Sequence, residues 1–104
     1  MTPEEAQERL EELRVSIDDV DRRIVALLNE RTNVVEEIGR VKRVAKLPIY
    51  EPKREDQVFA NISSCNSGPI PNQGLRRIFE RIIDEARTIQ RLRMESGPEN
   101  SGAK

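Results

Sequence analysis

The chain has 104 residues, is 36% hydrophobic and 36% charged, and carries only 3% aromatics, which is short of core material for a compact monomer and suits amphipathic helices that share a core with a partner chain. Lys and Arg number 18 against 19 Asp and Glu, a net charge of −1, so no global field points to nucleic acid or to a membrane surface. The absence of His removes the commonest general base and metal ligand and argues against a triad or a zinc site, while the lone Cys65 excludes a disulfide framework and fits a reducing compartment.

The first predicted helix starts after Pro3, with Thr2 as N-cap and Glu4 and Glu5 in its first turn, and its periodicity runs to about Ala45. No apolar leader precedes it and no run reaches transmembrane length, so a cytoplasmic protein is expected. Its seam reads Leu10, Leu13, Ile17, Val20, Ile24, Leu27, Arg31, Val34, Ile38, Val41 and Ala45, unbroken except at the guanidinium. A packed Arg is costly unless an anion meets it, so Arg31 is a candidate anion receptor. A helix of about 40 residues is roughly 60 Å long, whereas a compact domain of this size has a radius of gyration of about 13 Å. That mismatch predicts an intertwined homodimer covering the seam; a helix broken at Gly39 is the alternative. Lys42 follows Arg31 by about three full turns, so two cations flank an apolar patch that includes Val35 and Ile38 and is about 16 Å long. Arg14 lies on a different face, roughly 100° away, and reaches the same ligand only from a second helix.

Pro48 ends the first helix, and the loop Lys46 to Tyr50 leads to a second, short helix from about Glu51. Val58, Phe59 and Ile62 form its apolar face, and Glu51 and Glu55 lie one turn apart beside Arg54. Residues 63–74 are turn chemistry almost throughout. A third helix runs from about Pro71 to Met94, with Leu75, Ile78, Phe79, Ile82, Ile83, Ala86 and Ile89 inward and the amide of Gln90 on the stripe of Phe79, Ile83 and Ala86. Arg76, Arg77, Arg81, Arg87, Arg91 and Arg93 read as its solvated face. From Glu95 the tail has nothing to bury and is expected to be disordered, leaving residues 1–94 as one helical domain. The expected fold is all-α: one very long, one short and one medium helix.

Each polar residue also has a plain structural reading. Arg31 can be bridged by Glu55 or Glu51, Lys42 can snorkel to solvent, Gln90 can sit at the seam edge, and Arg14 and Arg54 can be surface charges. Together they describe cations, one or two carboxylates and an amide among aliphatic walls, with no nucleophile and no imidazole.

The stretches Leu13 to Asp21 (LRVSIDDVD), Leu27 to Arg31 (LLNER), Ile38 to Lys42 (IGRVK), Pro48 to Glu55 (PIYEPKRE) and Phe79 to Gln90 resemble the all-helical, AroQ-class chorismate mutases. The spacing matches without gaps from Arg14 to Glu55, and the resemblance covers about residues 10–93. It implies a domain-swapped homodimer that rearranges chorismate, a small dianion, to prephenate in phenylalanine and tyrosine biosynthesis, with no cofactor, no metal, and neither nucleic acid nor membrane as partner. By position, Arg14 would cross the interface to bind a substrate carboxylate and Arg31 would bind a carboxylate within its own subunit. Lys42 and Gln90 would flank the ether oxygen of the breaking bond. Glu55 and Glu51 would hold the ring hydroxyl beside Arg54, and Val35, Ile38 and Ile83 would wall the ring. Position 51, often Asp in the family, is Glu51 here, which alters the hydroxyl contact. Position 86, often Ser, is Ala86, which lacks a hydroxyl for a carboxylate. Two other assignments use the same residues: an isochorismate-pyruvate lyase on the same scaffold, and a non-enzymatic helical dimerisation module with a bridged Arg31. A third places the chain as one domain of a larger enzyme of aromatic biosynthesis. Glu51, Glu55 and the loop between Lys46 and Glu51 favour the mutase.

Overall fold

A computed structural model of the chain describes residues 1–96. All regular structure among them is helical: α1 spans Pro3–Ala45, α2 Pro52–Cys65 and α3 Asn72–Ser96. None of these helices is long and apolar enough to cross a membrane. The larger part of the expected tail, residues 97–104, lies outside the described residues, while Glu95 and Ser96 close α3.

α1 begins with a capping box. The Thr2 hydroxyl accepts from the Glu5 N–H at 3.1 Å, and the Glu5 carboxylate accepts from the Thr2 N–H at 2.8 Å, which satisfies two donors that helical bonding leaves orphaned. The helix runs unbroken through Gly39. It ends in a Schellman motif: Lys46 takes the left-handed conformation at φ 59°, its N–H bonds to the Arg43 carbonyl at 3.3 Å, and the Leu47 N–H bonds to the Lys42 carbonyl at 2.8 Å.

The chain divides into two compact units, Met1–Val34 and Val35–Lys104. In the first, the seam positions are exposed: Leu10 44%, Leu13 47%, Ile17 59%, Val20 40%, Ile24 46% and Leu27 63%. Arg31 and Thr32 are half-buried. Local surface pairs run along this unit, among them Arg14 with Glu11 at 3.2 Å.

In the second unit α3 packs along α2 and against the end of α1. α2 starts at Pro52, whose missing N–H costs nothing in a first turn. It continues through Ser63, Ser64 and Cys65, which the sequence placed in the turn. The Ser64 hydroxyl donates to the Asn61 carbonyl at 2.9 Å and the Cys65 thiol to the Ile62 carbonyl at 3.5 Å, so these side chains bond back to carbonyls of the last turn and the helix continues past them. Asn66 then stops it: its Nδ2 donates to the Ile70 carbonyl and its Oδ1 accepts from the N–H of Gly68, whose φ is 81°. α3 starts at Asn72 rather than Pro71 and absorbs Gln73 and Gly74 into its first turn. Leu75, Phe79, Ile82, Ile83, Ala86 and Ile89 are half-buried along it. Ile78 stays 49% exposed, a departure from its expected place, because it lies about 100° around the helix from Phe79.

Candidate functional site

The polar cluster begins at the end of α1. Lys42 is 13% exposed, and its Nζ donates to the Ile49 carbonyl at 3.1 Å and meets Glu51 Oε1 at 2.6 Å. The reading of Lys42 as a snorkelling surface lysine therefore does not hold. The Schellman turn folds Ile49 and Glu51 back toward the residue whose own carbonyl closes that turn, so backbone and side chain of Lys42 fix the loop together. Glu51 precedes α2 at its N-cap position but makes no side-chain cap; its carboxylate is spent on Lys42.

One turn into α2, Glu55 is 27% exposed and Arg87 of α3 donates to its Oε2. Arg87 also meets Asp84 at 3.6 Å and stacks over the Tyr50 ring at 5.3 Å. The hydrogen bond to Glu55 raises Arg87 above its ordinary value, with burial working the other way, so its charge is permanent at any pH the fold tolerates. Glu51 and Glu55 are thus engaged by Lys42 and Arg87. Arg54 is exposed on α2 and donates to Gln57 at 3.3 Å.

Gln90 is half-buried on α3, and its Nε2 donates to the Val35 carbonyl at 3.3 Å. The amide passes close to Gly39, which is buried in α1: a Cβ there would stand 3.6 Å from Gln90 Cγ, in ordinary contact. A carbonyl only accepts, so the contact fixes the amino end of the amide on α1. Val35 is half-buried beside it, Ile38 is 44% exposed, and Ile83 and Ala86 are half-buried on α3.

A cleft of about 450 Å³ opens between α2 and α3, lined by Glu55 and Ile83 together with Tyr50, Phe59, Arg76 and Arg87 among others. Lys42 and Gln90 do not line it. The structure thus groups the nominated residues of the second unit into three clusters: Lys42 with Glu51, Glu55 with Arg87, and Gln90 with Val35 and Gly39. Arg14 and Arg31 belong to the first unit.

Sequence reasoning missed Arg87. The α3 arginines are not one solvated face. Arg81 makes only a pair with Glu85 along the helix, but Arg76 lies 4.0 Å from the Phe59 ring centroid and Arg93 grips Glu36 at 2.7 Å. Arg76 and Arg87 are eleven residues apart and share a stripe about 60–80° from Phe79, which faces the flank of α2; that periodicity was the available signal. Among the described residues, no group of three or more His, Cys, Asp or Glu is placed to hold a metal ion.

The chain matches the family Chorismate mutase type II over residues 13–91. It is 38% identical over 88 residues to the bifunctional chorismate mutase/prephenate dehydratase of Aquifex aeolicus, a match covering 81% of this chain and 24% of that protein. It spans about a quarter of the length of the bifunctional relatives it matches. Among solved structures, the chorismate mutase of Thermus thermophilus (form II) aligns with a TM-score of 0.78 at 37% identity, covering 80% of this chain and 94% of that one. The chorismate mutase of Helicobacter pylori in complex with prephenate aligns with a TM-score of 0.75 at 27% identity, covering 81% and 91%. With the family match running across all three helices, and with two solved chorismate mutase chains matched over 94% and 91% of their length, this chain belongs to the type II chorismate mutase family.

Proposed function

We propose that the chain converts chorismate to prephenate as a cytoplasmic homodimer whose catalytic domain is residues 1–94. The observation that carries this reading is Lys42: a drawn-in ammonium oriented by one carbonyl and one carboxylate, on the same unit as a fixed amide donor, Gln90. The relatives above, one of them holding prephenate, support the substrate class.

The reaction is a pericyclic rearrangement in which a C–O bond breaks as a C–C bond forms. It moves no proton and forms no covalent intermediate, so the protein must fold the side chain over the ring and stabilise charge that develops late. Arg31, and Arg14 from the second copy, bind the two carboxylates through guanidinium forks, which hold the substrate in its reactive conformer. Lys42 and Gln90 donate to the ether oxygen, where negative charge grows only in the transition state, so they lower the barrier rather than merely bind. Glu55 accepts from the ring hydroxyl with Glu51 beside it, and Arg54 lies alongside. Val35, Ile38, Ile83 and Ala86 form the wall. The dimer is supported by the first unit, a lone stretch of helix whose apolar seam is exposed throughout. An isolated helix draws most of its stability from packing such a face, and so requires a cover for it.

Steady-state turnover of chorismate by the purified chain, with prephenate resolved from other products and isochorismate run in parallel, tests this reading. Saturable prephenate formation is expected. Pyruvate release from isochorismate without prephenate formation would reassign the chain to the lyases, and turnover of neither would favour a non-enzymatic dimer.

A further inference from the structure

We infer that Arg87 is a positioning residue for Glu55, and so a determinant of substrate affinity in a site where the family resemblance gave it no role. The inference rests on the proposed function above. Glu55 reaches its place on a flexible three-torsion stem, and on its own would sample several rotamers. Arg87 takes Oε2, which leaves Oε1 to accept from a substrate hydroxyl. The guanidinium is itself held from two further sides, by Asp84 at 3.6 Å and by the Tyr50 ring at 5.3 Å. It is 38% exposed, against 80% for Arg81 one and a half turns earlier. A cation restrained on three sides therefore locks a carboxylate on one.

The role is separable from simple bracing. A pair this exposed contributes little to stability, so bracing alone predicts a small fall in Tm and unaltered kinetics. Positioning predicts a change in KM. The ring hydroxyl that Glu55 accepts from is bound alike in ground and transition states, and losing such a contact raises KM while leaving kcat in place. Lys42 is fixed by Ile49 and Glu51, neither of which touches it through Arg87, so its contribution to kcat persists.

The test compares kcat, KM and Tm for wild type, Arg87→Gln, Arg87→Lys, Glu55→Gln and the Arg87→Gln/Glu55→Gln double variant, with chorismate as substrate. Arg87→Gln is expected to raise KM about tenfold, the size of one lost charge-assisted hydrogen bond, with kcat within about twofold of wild type. Arg87→Lys keeps the charge but not the fork, and is expected at about a threefold rise. The double variant should be no worse than Glu55→Gln alone, because both changes remove one interaction. An unaltered KM in Arg87→Gln, or losses that multiply in the double variant, overturns the inference. If Arg87→Gln does not fold, Arg87→Lys decides it: a wild-type KM there overturns it equally. Absence of turnover in the wild-type chain overturns the functional reading and this inference together, whereas active wild type with an indifferent Arg87 overturns this inference alone.

Discussion

Among single residues, Lys42 is the most constrained cation of the second unit's polar cluster. Its ammonium has exchanged most of its water for one carbonyl and one carboxylate, a partial desolvation that sharpens its field at any third group brought near it. If it serves the ether oxygen, removing it removes an interaction that strengthens only in the transition state. Lys42→Ala should therefore lower kcat by about 10²–10³-fold with a much smaller change in KM. Stopped-assay kinetics on folded protein checks this, and a wild-type kcat would remove Lys42 from the mechanism. Glu51, left without its partner, is 50% exposed and returns to water cheaply, so the variant is expected to fold. Lys42 and Gln90 stood out in the sequence because helical periodicity aligns each with an apolar stripe where a polar group is out of place, whereas Glu55 stood out only by its one-turn spacing from Glu51. The pairing of Glu51 with Lys42 was not legible, since an N-cap position ordinarily spends its side chain on its own helix. Arg87 was hidden for the opposite reason: among six arginines on one helix, periodicity separates the engaged from the solvated only once the facing helix is known. The pH behaviour of the Arg87 pair follows from the sign of its shift. Held by the Glu55 carboxylate, Arg87 is raised in the fold and contributes stability below its unfolded value, a contribution lost as pH rises through the folded one, in strong alkali.

At the scale of elements, two backbone positions decide how the helices present these groups. Lys46 closes α1 in the left-handed conformation at φ 59°, where a Cβ costs roughly 1 kcal/mol and glycine costs nothing. Lys46→Gly should raise stability by about 0.5–1 kcal/mol, read as a higher urea midpoint at constant m; an unchanged or lower midpoint would contradict the Schellman assignment. Gly39 is the second position. A Cβ 3.6 Å from Gln90 is in ordinary contact, so Gly39→Ala is expected to be tolerated and to gain up to about 1 kcal/mol of helix propensity. Gly39→Val should crowd the amide off the Val35 carbonyl and lower kcat, and a Gly39→Val variant with wild-type kcat would show that the close approach is dispensable. The sequence placed all three helices, with Thr2 and Pro3 marking the start of α1 and Pro52 that of α2, while α3 starts one residue after Pro71. It misjudged the α2–α3 connection because Ser, Cys and Asn compete for backbone groups in turns and helices alike, and only Asn66 with Gly68 ends the helix.

At the scale of the molecule, the first unit carries an apolar seam that the chain alone leaves in water, from Leu10 at 44% exposed to Leu27 at 63%. The seam and its single interruption at Arg31 were legible from spacing alone. What covers the seam was not, because a single sequence shows the face and not the occupant. A homodimer is the occupant we propose, and it predicts a solution mass of twice 12.0 kDa and a Tm that rises with protein concentration. Among the described residues Arg14 pairs with Glu11 on the surface, a contact worth a few tenths of a kcal/mol, so little opposes its transfer to a substrate carboxylate. Complementation decides whether the site is shared: Arg14→Ala and Arg31→Ala are unfolded together, refolded, and assayed for prephenate formation. If each site draws Arg31 from one chain and Arg14 from the other, both variants are inactive alone, and mixed dimers regain one complete site and a fraction of wild-type turnover. If the mixture stays as inactive as its components while wild type refolds to full activity, the sites are not shared and the account is wrong.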